Sequence, residues 1–226
     1  MISTLLFDAG GTLVMPNFRR MADEYARDGV AVEPERLARA EALARLDFER
    51  PDFVRSHPDN IWLSYMHDVA RKAEIERPPL AAFERLRAYH DSENLWEELI
   101  AGTEDALTEL GARYRLGVIS NANGTVKKMF ARIGIARFFE VIVDSGEVGI
   151  EKPDVRVFEL ALKAMNVRAD EAAYIGDVFK VDVLGARAAG MCAVLIDPHG
   201  FHADKPCQRV RSLAELSPAL LTAADS

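Results

Sequence analysis

Short apolar runs that end on polar residues recur along the chain, and amphipathic stretches separate most of them. The first run ends at Phe7 and is followed at once by Asp8. A short apolar run bounded by turn residues predicts a buried strand, typical of a parallel sheet. The same pattern predicts further strands at residues 116–119, 139–143, 172–175 and 193–196.

Apolar residues at helical spacing follow each of the later strands, and glycines close several of these stretches. Regular alternation of strand and helix predicts an α/β fold with a doubly wound, Rossmann-like parallel sheet. The helices of this alternation are predicted at residues 103–112, 126–133, 155–165, 181–189 and 213–221.

The strand pattern stops between Val14 and about Glu98, where charged and apolar residues mix at helical spacing and prolines punctuate the chain. This texture predicts several amphipathic helices. Because the first strand belongs to the sheet, the helical module is an insertion between the first and second strands. We therefore expect an α/β core domain of residues 1–14 and 99–226, and an all-helical domain of residues 15–98.

Composition narrows the classes of function. Of the 226 residues, 49% are hydrophobic, which is enough for a real core, and the net charge of −8 argues against a general nucleic-acid binder. The cysteines, Cys192 and Cys207, form no CxxC pair, so we expect free thiols and a reducing, cytoplasmic setting. The sequence has no 18-residue apolar run and no signal-peptide pattern, so no membrane partner is expected.

Four polar clusters follow predicted strands or lie in loops on the same side of the sheet. Because the carboxyl ends of parallel strands share one edge, these clusters are expected to converge. Carboxylates suit Mg²⁺, and a hydroxyl, an ammonium group and glycine N–H groups suit phosphoryl oxygens. Each cluster alone also fits a turn or a helix N-cap, but the set in this order favours a site. The clusters are residues 8–12, Ser120-Asn121, residues 151–153 and residues 176–182.

The same residues form a set of motifs: Phe7-Asp8-x-x-Gly11-Thr12-Leu13, Val118-Ile119-Ser120-Asn121, Lys152-Pro153-Asp154 and Gly176-Asp177-x-x-x-x-Asp182. With these motifs the chain resembles the haloacid dehalogenase superfamily of hydrolases. The resemblance implies a Mg²⁺-dependent phosphatase acting on a small phosphorylated metabolite. It also implies that the helical insertion is a mobile cap that closes over the substrate and sets specificity.

The resemblance assigns roles to individual residues. It implies that Asp8 is the catalytic nucleophile, forming an aspartyl-phosphate, and that Lys152 assists it while holding the phosphoryl group. Other implied substrate contacts come from Gly11, Thr12, Ser120 and Asn121. The implied magnesium ligands are Asp8, the carbonyl of Gly10 and Asp177, with Asp182 acting through water or through its neighbours.

One position departs from the family pattern. Phosphatases of the family usually carry a second Asp two residues after the nucleophile, as general acid and base, and this chain has Gly10 there. Loss of a positioned acid/base typically costs about 10²–10⁴-fold in rate. We therefore expect a slow phosphatase that favours good leaving groups, unless a cap residue supplies the proton. Candidates for that donor are His57, Asp59 and His67.

Two other functions stay open on the sequence alone. A 2-haloacid dehalogenase would use Asp8 on carbon, but that branch usually has Tyr at the place of Gly10 and lacks the acidic pair that serves the metal. The second alternative is a non-catalytic protein that kept the fold, binds Mg²⁺ and phosphate, and lost the acid. Turnover that depends on Asp8 would separate it from an enzyme.

Overall fold

The computed structural model describes residues 1–48 and 61–221. A parallel sheet forms the centre of its α/β unit. The strands found there are β1 (Thr4–Phe7), β2 (Val14–Met15), β3 (Glu98–Leu99), β4 (Arg115–Ser120), β5 (Val141–Asp144), β6 (Ala172–Gly176), β7 (Cys192–Ile196) and β8 (Gln208–Val210). Within the described residues, six of these strands form one sheet in the order β5, β4, β1, β6, β7, β8. Every neighbouring pair in that sheet is parallel.

Helices connect most of these strands. In chain order they are α1 (Phe18–Arg27), α2 (Pro34–Phe48), α3 (Ile61–Lys72), α4 (Leu80–Glu93), α5 (Thr103–Gly111), α6 (Val126–Arg132), α7 (Ser145–Val148), α8 (Val155–Ala164) and α9 (Leu184–Ala188). The alternation that the sequence predicted is present, and the predicted doubly wound α/β fold is confirmed.

The central strand β1 is buried on both faces, and its side chains alternate between two cores. Leu5 packs in the core that contains Phe130 of α6. Leu6 packs in the opposite core, which contains Phe158 of α8. A strand covered by helices on both faces is apolar along most of its length, which is why the run from Leu5 to Phe7 before Asp8 is continuous.

Contacts divide the chain into two compact units, Met1–Met15 with Trp96–Ser226, and Pro16–Leu95. The second unit contains α1 to α4 and has a core of its own, in which Met21, Tyr25, Leu37, Met66 and Phe83 are fully buried. Across the described residues, we find no helix with the length and apolar character that spanning a membrane requires.

Two predicted elements differ from the structure because 3₁₀ turns take the place of part of a helix and precede a strand. Residues 213–221 were predicted as one helix, but they form two 3₁₀ turns, Leu213–Glu215 and Pro218–Leu221. Pro218 has no N–H to donate and disfavours helical backbone in the residue before it, so the helix cannot run through. The third predicted strand begins later than expected, because Ala136–Phe138 forms a 3₁₀ turn before β5.

Two strand pairings involve strands that are too short for the sequence pattern to reveal. The two-residue strands β2 and β3 pair antiparallel, with Val14 opposite Leu99 and Met15 opposite Glu98. Strand β8 adds three residues at the edge of the main sheet beside β7. Strands this short show no period-two alternation, since only their pairing partner defines them.

Candidate functional site

The polar residues at one edge of the sheet come from three adjacent strands. Strand β1 pairs with β4 on one side and with β6 on the other, and the registers bring the three strand ends level. Asp8 follows β1, Ser120 is the last residue of β4, and Asp177 follows β6. This register places the three strand ends at one edge of the sheet, as the sequence pattern predicted.

The loop after β1 is closed by one carbonyl group. The Ala9 oxygen accepts N–H groups from residues 12–14 at 3.4, 2.9 and 3.0 Å. Gly11 adopts a φ of 80°, a left-handed conformation that favours glycine. The hydroxyl of Thr12 is buried and has no hydrogen-bond partner among the residues described. A buried hydroxyl in that state, four residues after Asp8, is available to an incoming ligand.

Lys152 is the hub of the site. Its ammonium Nζ donates to Asp8 Oδ1 at 2.7 Å, to Asp182 Oδ1 at 2.8 Å and to Tyr174 Oη at 2.8 Å. An ammonium group has three N–H donors, and these three acceptors match them. Burial opposes the charge of Lys152, but the carboxylates of Asp182 and Asp8 outweigh that effect and raise the pKa of the side chain.

Asn121 fixes the main chain on which Lys152 sits. Its Oδ1 accepts the Lys152 N–H at 2.8 Å, and its Nδ2 donates to the Lys152 carbonyl at 2.9 Å. The sequence predicted Asn121 as a substrate contact. The structure places its carboxamide on the Lys152 backbone, where it couples the loop after β4 to the loop that carries the lysine.

Asp182 is brought to the sheet edge by a π-helical turn, Phe179–Val183, that precedes α9. Its Oδ2 accepts the N–H groups of Asp177 and Val178 at 3.1 and 2.9 Å. A Cβ at Gly176 would overlap the Asp182 carboxylate, so a glycine ending β6 makes this approach possible. Both oxygens of Asp182 are thus engaged by Lys152 and by the backbone.

Tyr174 is a residue of this site that the sequence analysis missed. Its Oη accepts from Lys152 and donates to the Ile119 carbonyl at 2.9 Å, so it ties the lysine to β4. Burial raises the pKa of Tyr174 well above its ordinary value, and the Asp182 and Asp8 carboxylates add to the rise. The hydroxyl therefore stays protonated. In the sequence, Tyr174 is one more apolar-run residue of β6, and no spacing rule separates it from a core tyrosine.

Asp144, at the end of β5, is a second group that the sequence did not single out. Its Oδ1 accepts the N–H of Gly124 and of Gly146, each at 2.9 Å, and its Oδ2 accepts the N–H of Val126 at 3.1 Å. The carboxylate thus caps the start of α6 and holds the loop that follows Ser120.

The carboxylates of the site fit a divalent cation. Oxygens of Asp8, Asp177 and Asp182 all lie within 4.8 Å of one another, and the three residues are buried. When all three carboxylates are ionised, the group with Lys152 carries three negative charges and one positive charge, a net charge of −2. Burial raises the pKa of Asp8 to about 7, Asp182 and Asp177 add to the rise, and Lys152 opposes it. Hard oxygen donors with this charge suit Mg²⁺.

The space beside Gly10 is taken by the indole of Trp96. A Cβ built on Gly10 would lie 3.1 Å from Trp96 Cδ1 and 3.4 Å from Trp96 Nε1. Trp96 is partly buried and packs against the core that contains Leu5. No feature of the local sequence relates residues 10 and 96, since the pairing of β2 with β3 brings them together.

Of the three candidate proton donors in the helical segment, His67 alone lies among the described residues. His57 and Asp59 lie outside the described residues. His67 packs edge-on against Phe83, with ring centroids 5.3 Å apart, inside the helical unit. That contact gives His67 a packing role in α3.

Comparison with known proteins agrees with this picture. A family model described as "Hydrolase: haloacid dehalogenase-like hydrolase" matches residues 2–190. A curated protein of Methanothermobacter thermautotrophicus named "Glyceraldehyde 3-phosphate phosphatase" is 38% identical over 133 residues, which span 58% of each chain. A protein of the same name from Methanopyrus kandleri is 28% identical over 205 residues, 87% of this chain and 84% of that one.

A solved structure shares the fold over nearly the whole length. It is a putative HAD-hydrolase, YfnB from Bacillus subtilis, described as bound to magnesium. The two structures superpose with a TM-score of 0.72 at 19% identity, covering 97% of this chain and 98% of the other. At that identity the likeness concerns the fold.

Proposed function

Because the chain belongs to the haloacid dehalogenase-like hydrolases, we propose that it is a Mg²⁺-dependent phosphatase acting on a small phosphorylated metabolite. The observation that carries the proposal is the Lys152 ammonium, which lies 2.7 Å from Asp8 and 2.8 Å from Asp182. That arrangement supports a nucleophilic carboxylate beside a fixed positive charge. The names of the curated phosphatase relatives support the same class of substrate.

In the proposed reaction, an Asp8 carboxylate oxygen attacks phosphorus and the bond to the leaving oxygen breaks. The departing alkoxide takes its proton from water, because Gly10 offers no acid. Water then attacks phosphorus in the aspartyl-phosphate and gives its proton to the hydroxide left by the first step. The bond from phosphorus to the Asp8 oxygen breaks, so the Asp8 carboxylate is regenerated and inorganic phosphate leaves. Covalent catalysis of this kind divides one difficult displacement into two easier ones.

The other residues hold the phosphoryl group in this proposal. The Lys152 ammonium and the Ser120 hydroxyl contact its oxygens, together with the hydroxyl of Thr12 and backbone N–H groups from Gly11 onward. Asn121, which follows Ser120 in the chain, holds the Lys152 backbone in place through its carboxamide. The helical segment 15–98 keeps the role that the resemblance implies, the selection of the substrate.

Magnesium would be held by Asp8, Asp177 and the Gly10 carbonyl, and it would neutralise the charge on phosphoryl oxygens. Asp182 orients this set, since its oxygens bind Lys152 and the backbone N–H of Asp177.

Hydrolysis of p-nitrophenyl phosphate tests the proposal. We expect release that requires Mg²⁺ in the wild type, is lost in Asp8→Asn, and persists in Asp105→Asn, an exposed carboxylate of α5. Equal rates in the wild type and Asp8→Asn would exclude Asp8 as the nucleophile. Binding of Mg²⁺ and phosphate without turnover of any ester would favour the non-catalytic alternative.

A further inference from the structure

Position 10 lies two residues after Asp8 in the loop that follows β1. The side chain of Ala9, between them, is buried in the core at 3% exposure, and Gly10 forms a β-bridge with Val14. Consecutive Cα atoms are about 3.8 Å apart, so position 10 lies close to Asp8. A side chain in the space beside position 10 is therefore near the reacting carboxylate.

An indole occupies this space. Trp96 Cδ1 lies 3.1 Å from the Cβ that Gly10 lacks, closer than ordinary van der Waals contact. Gly10 does not adopt a positive φ, so its backbone conformation suits any L-residue. The obstacle to a side chain at position 10 is thus Trp96 itself.

The fold sets the path of the backbone at Trp96. Strand β3 begins two residues later, and its pairing with β2 carries the chain past the loop that contains Gly10. The Ile100 N–H also binds the Leu13 carbonyl at 3.1 Å. The Trp96 side chain packs on the core and keeps part of its surface exposed.

We propose that Trp96 determines which leaving groups the site accepts, an inference that rests on the proposed phosphatase function. Its indole crowds an acidic side chain at position 10 and forms the surface that the leaving group meets. Esters whose alcohol departs without help, such as phenols, are favoured. A planar leaving group also gains a stacking surface, and aromatic contacts of this kind are worth about two- to tenfold in binding.

Variants at both positions separate the two effects. We expect Trp96→Ala to lower the ratio of kcat/KM for phenyl phosphate over glycerol phosphate by about two- to tenfold. Gly10→Asp alone is expected to gain little on glycerol phosphate, because the indole crowds the Cβ at position 10 and disturbs the placement of the new carboxyl group. Gly10→Asp combined with Trp96→Ala is expected to gain about 10²-fold or more on that ester, since a positioned acid is restored. Tyr114→Ala truncates another aromatic side chain that packs on the same core, directly before β4, and is expected to leave the ratio unchanged.

A binding measurement covers the case in which Trp96→Ala does not fold. The chain has two tryptophans, so Trp62→Phe leaves Trp96 as the single indole reporter. We expect its emission to shift when phenylphosphonate, which has no ester bond to hydrolyse, binds with Mg²⁺. Turnover that depends on Asp8, with an unchanged ester ratio or a silent Trp96, would overturn this inference and leave the phosphatase standing. No Asp8-dependent turnover in any variant would overturn the proposed function, and this inference with it.

Discussion

Lys152 holds the charge balance of the site. Its side chain is 2% exposed, and its ammonium lies between the carboxylates of Asp8 and Asp182. Removing one member of a buried charge group typically costs about 3–5 kcal/mol, because the remaining charges lose their compensation. The same lysine faces the proposed phosphoryl position, so structure and catalysis depend on one group.

Lys152→Met is therefore expected to lower kcat/KM by about 10³-fold and to destabilise the protein. Lys163→Met, an exposed lysine of α8, provides the matched control. Activity on p-nitrophenyl phosphate and thermal unfolding would be measured for both. Near wild-type turnover in Lys152→Met would contradict the role given to the ammonium.

Tyr174→Phe removes the third acceptor of Lys152 and the donor to the Ile119 carbonyl. We expect a loss of about 1–3 kcal/mol in stability. Partners that orient catalytic ligands typically contribute about 10–100-fold to activity, so kcat is expected to fall within that range while KM changes less. Tyr114→Phe, a partly buried tyrosine before β4, is the control. A loss confined to stability, with kcat unchanged, would reduce Tyr174 to a packing residue.

The sequence predicted only part of this arrangement at the residue scale. Asp8 and Asp177 stand out because they come at the ends of apolar runs, and Lys152 and Asp182 because they lie in motifs on the same side of the predicted sheet. The structure brings these four residues together. Tyr174 is hidden within an apolar run, and its role depends on the register of β6 against β1. Trp96 depends on a contact across 86 positions of sequence that only the β2–β3 pairing creates.

At the scale of elements, long apolar runs and clear helical periodicity predicted the strands and helices correctly. Short or bent elements were not predicted, because they show no such pattern. An ordinary helix was predicted from residue 181, but residues 181–183 belong to the π-helical turn Phe179–Val183. It forms where the Asp182 carboxylate returns to bind the N–H groups of Asp177 and Val178. Helical bulges of this kind are frequent at functional sites, and periodicity does not encode them.

Helix α4 carries a pH-sensitive residue. His90 stacks on Trp62 with ring centroids 4.9 Å apart, and its Nδ1 accepts the Leu95 N–H at 3.3 Å. Burial lowers the pKa of His90 to about 4, below its ordinary value of 6.5, and Arg87 adds to the decrease while Asp91 opposes it. The folded state therefore binds this proton less readily than the unfolded state.

The stabilisation from neutral His90 is present above pH 6.5 and is lost as the pH falls towards 4. Relative to His90→Gln, the wild type is expected to lose about 2 kcal/mol of unfolding free energy between pH 7 and pH 4.5. Urea denaturation at the two pH values measures this difference. His199→Gln, at an exposed loop position, should track the wild type. Parallel pH profiles for the wild type and His90→Gln would show that the histidine is not buried as described.

At the scale of the whole molecule, family and fold follow from sequence because several motifs agree at once. The predicted superfamily, the α/β fold and the phosphatase class agree with the family model and the named relatives. The net charge of −8 is spread over the chain, whereas the site gathers three carboxylates around one ammonium. A bound cation is therefore expected to stabilise the folded protein itself.

Magnesium at about 100 times its Kd is expected to add about 2.7 kcal/mol, which raises Tm by about 5–10 °C for a chain of this size. Asp177→Asn should lose most of this shift, and Asp105→Asn, an exposed carboxylate, should keep it. Thermal unfolding with and without MgCl₂ gives the result without any turnover. An equal shift in Asp177→Asn would place the ion elsewhere.

The central claim is that Asp8 takes the phosphoryl group, and rapid acid quenching of a single turnover with a ³²P-labelled phosphate ester tests it most directly. The account predicts protein-bound label in the wild type that hydroxylamine releases, as expected for an acyl phosphate, and none in Asp8→Asn. Turnover that releases phosphate without labelling the protein, or equal labelling of Asp8→Asn, would contradict the account.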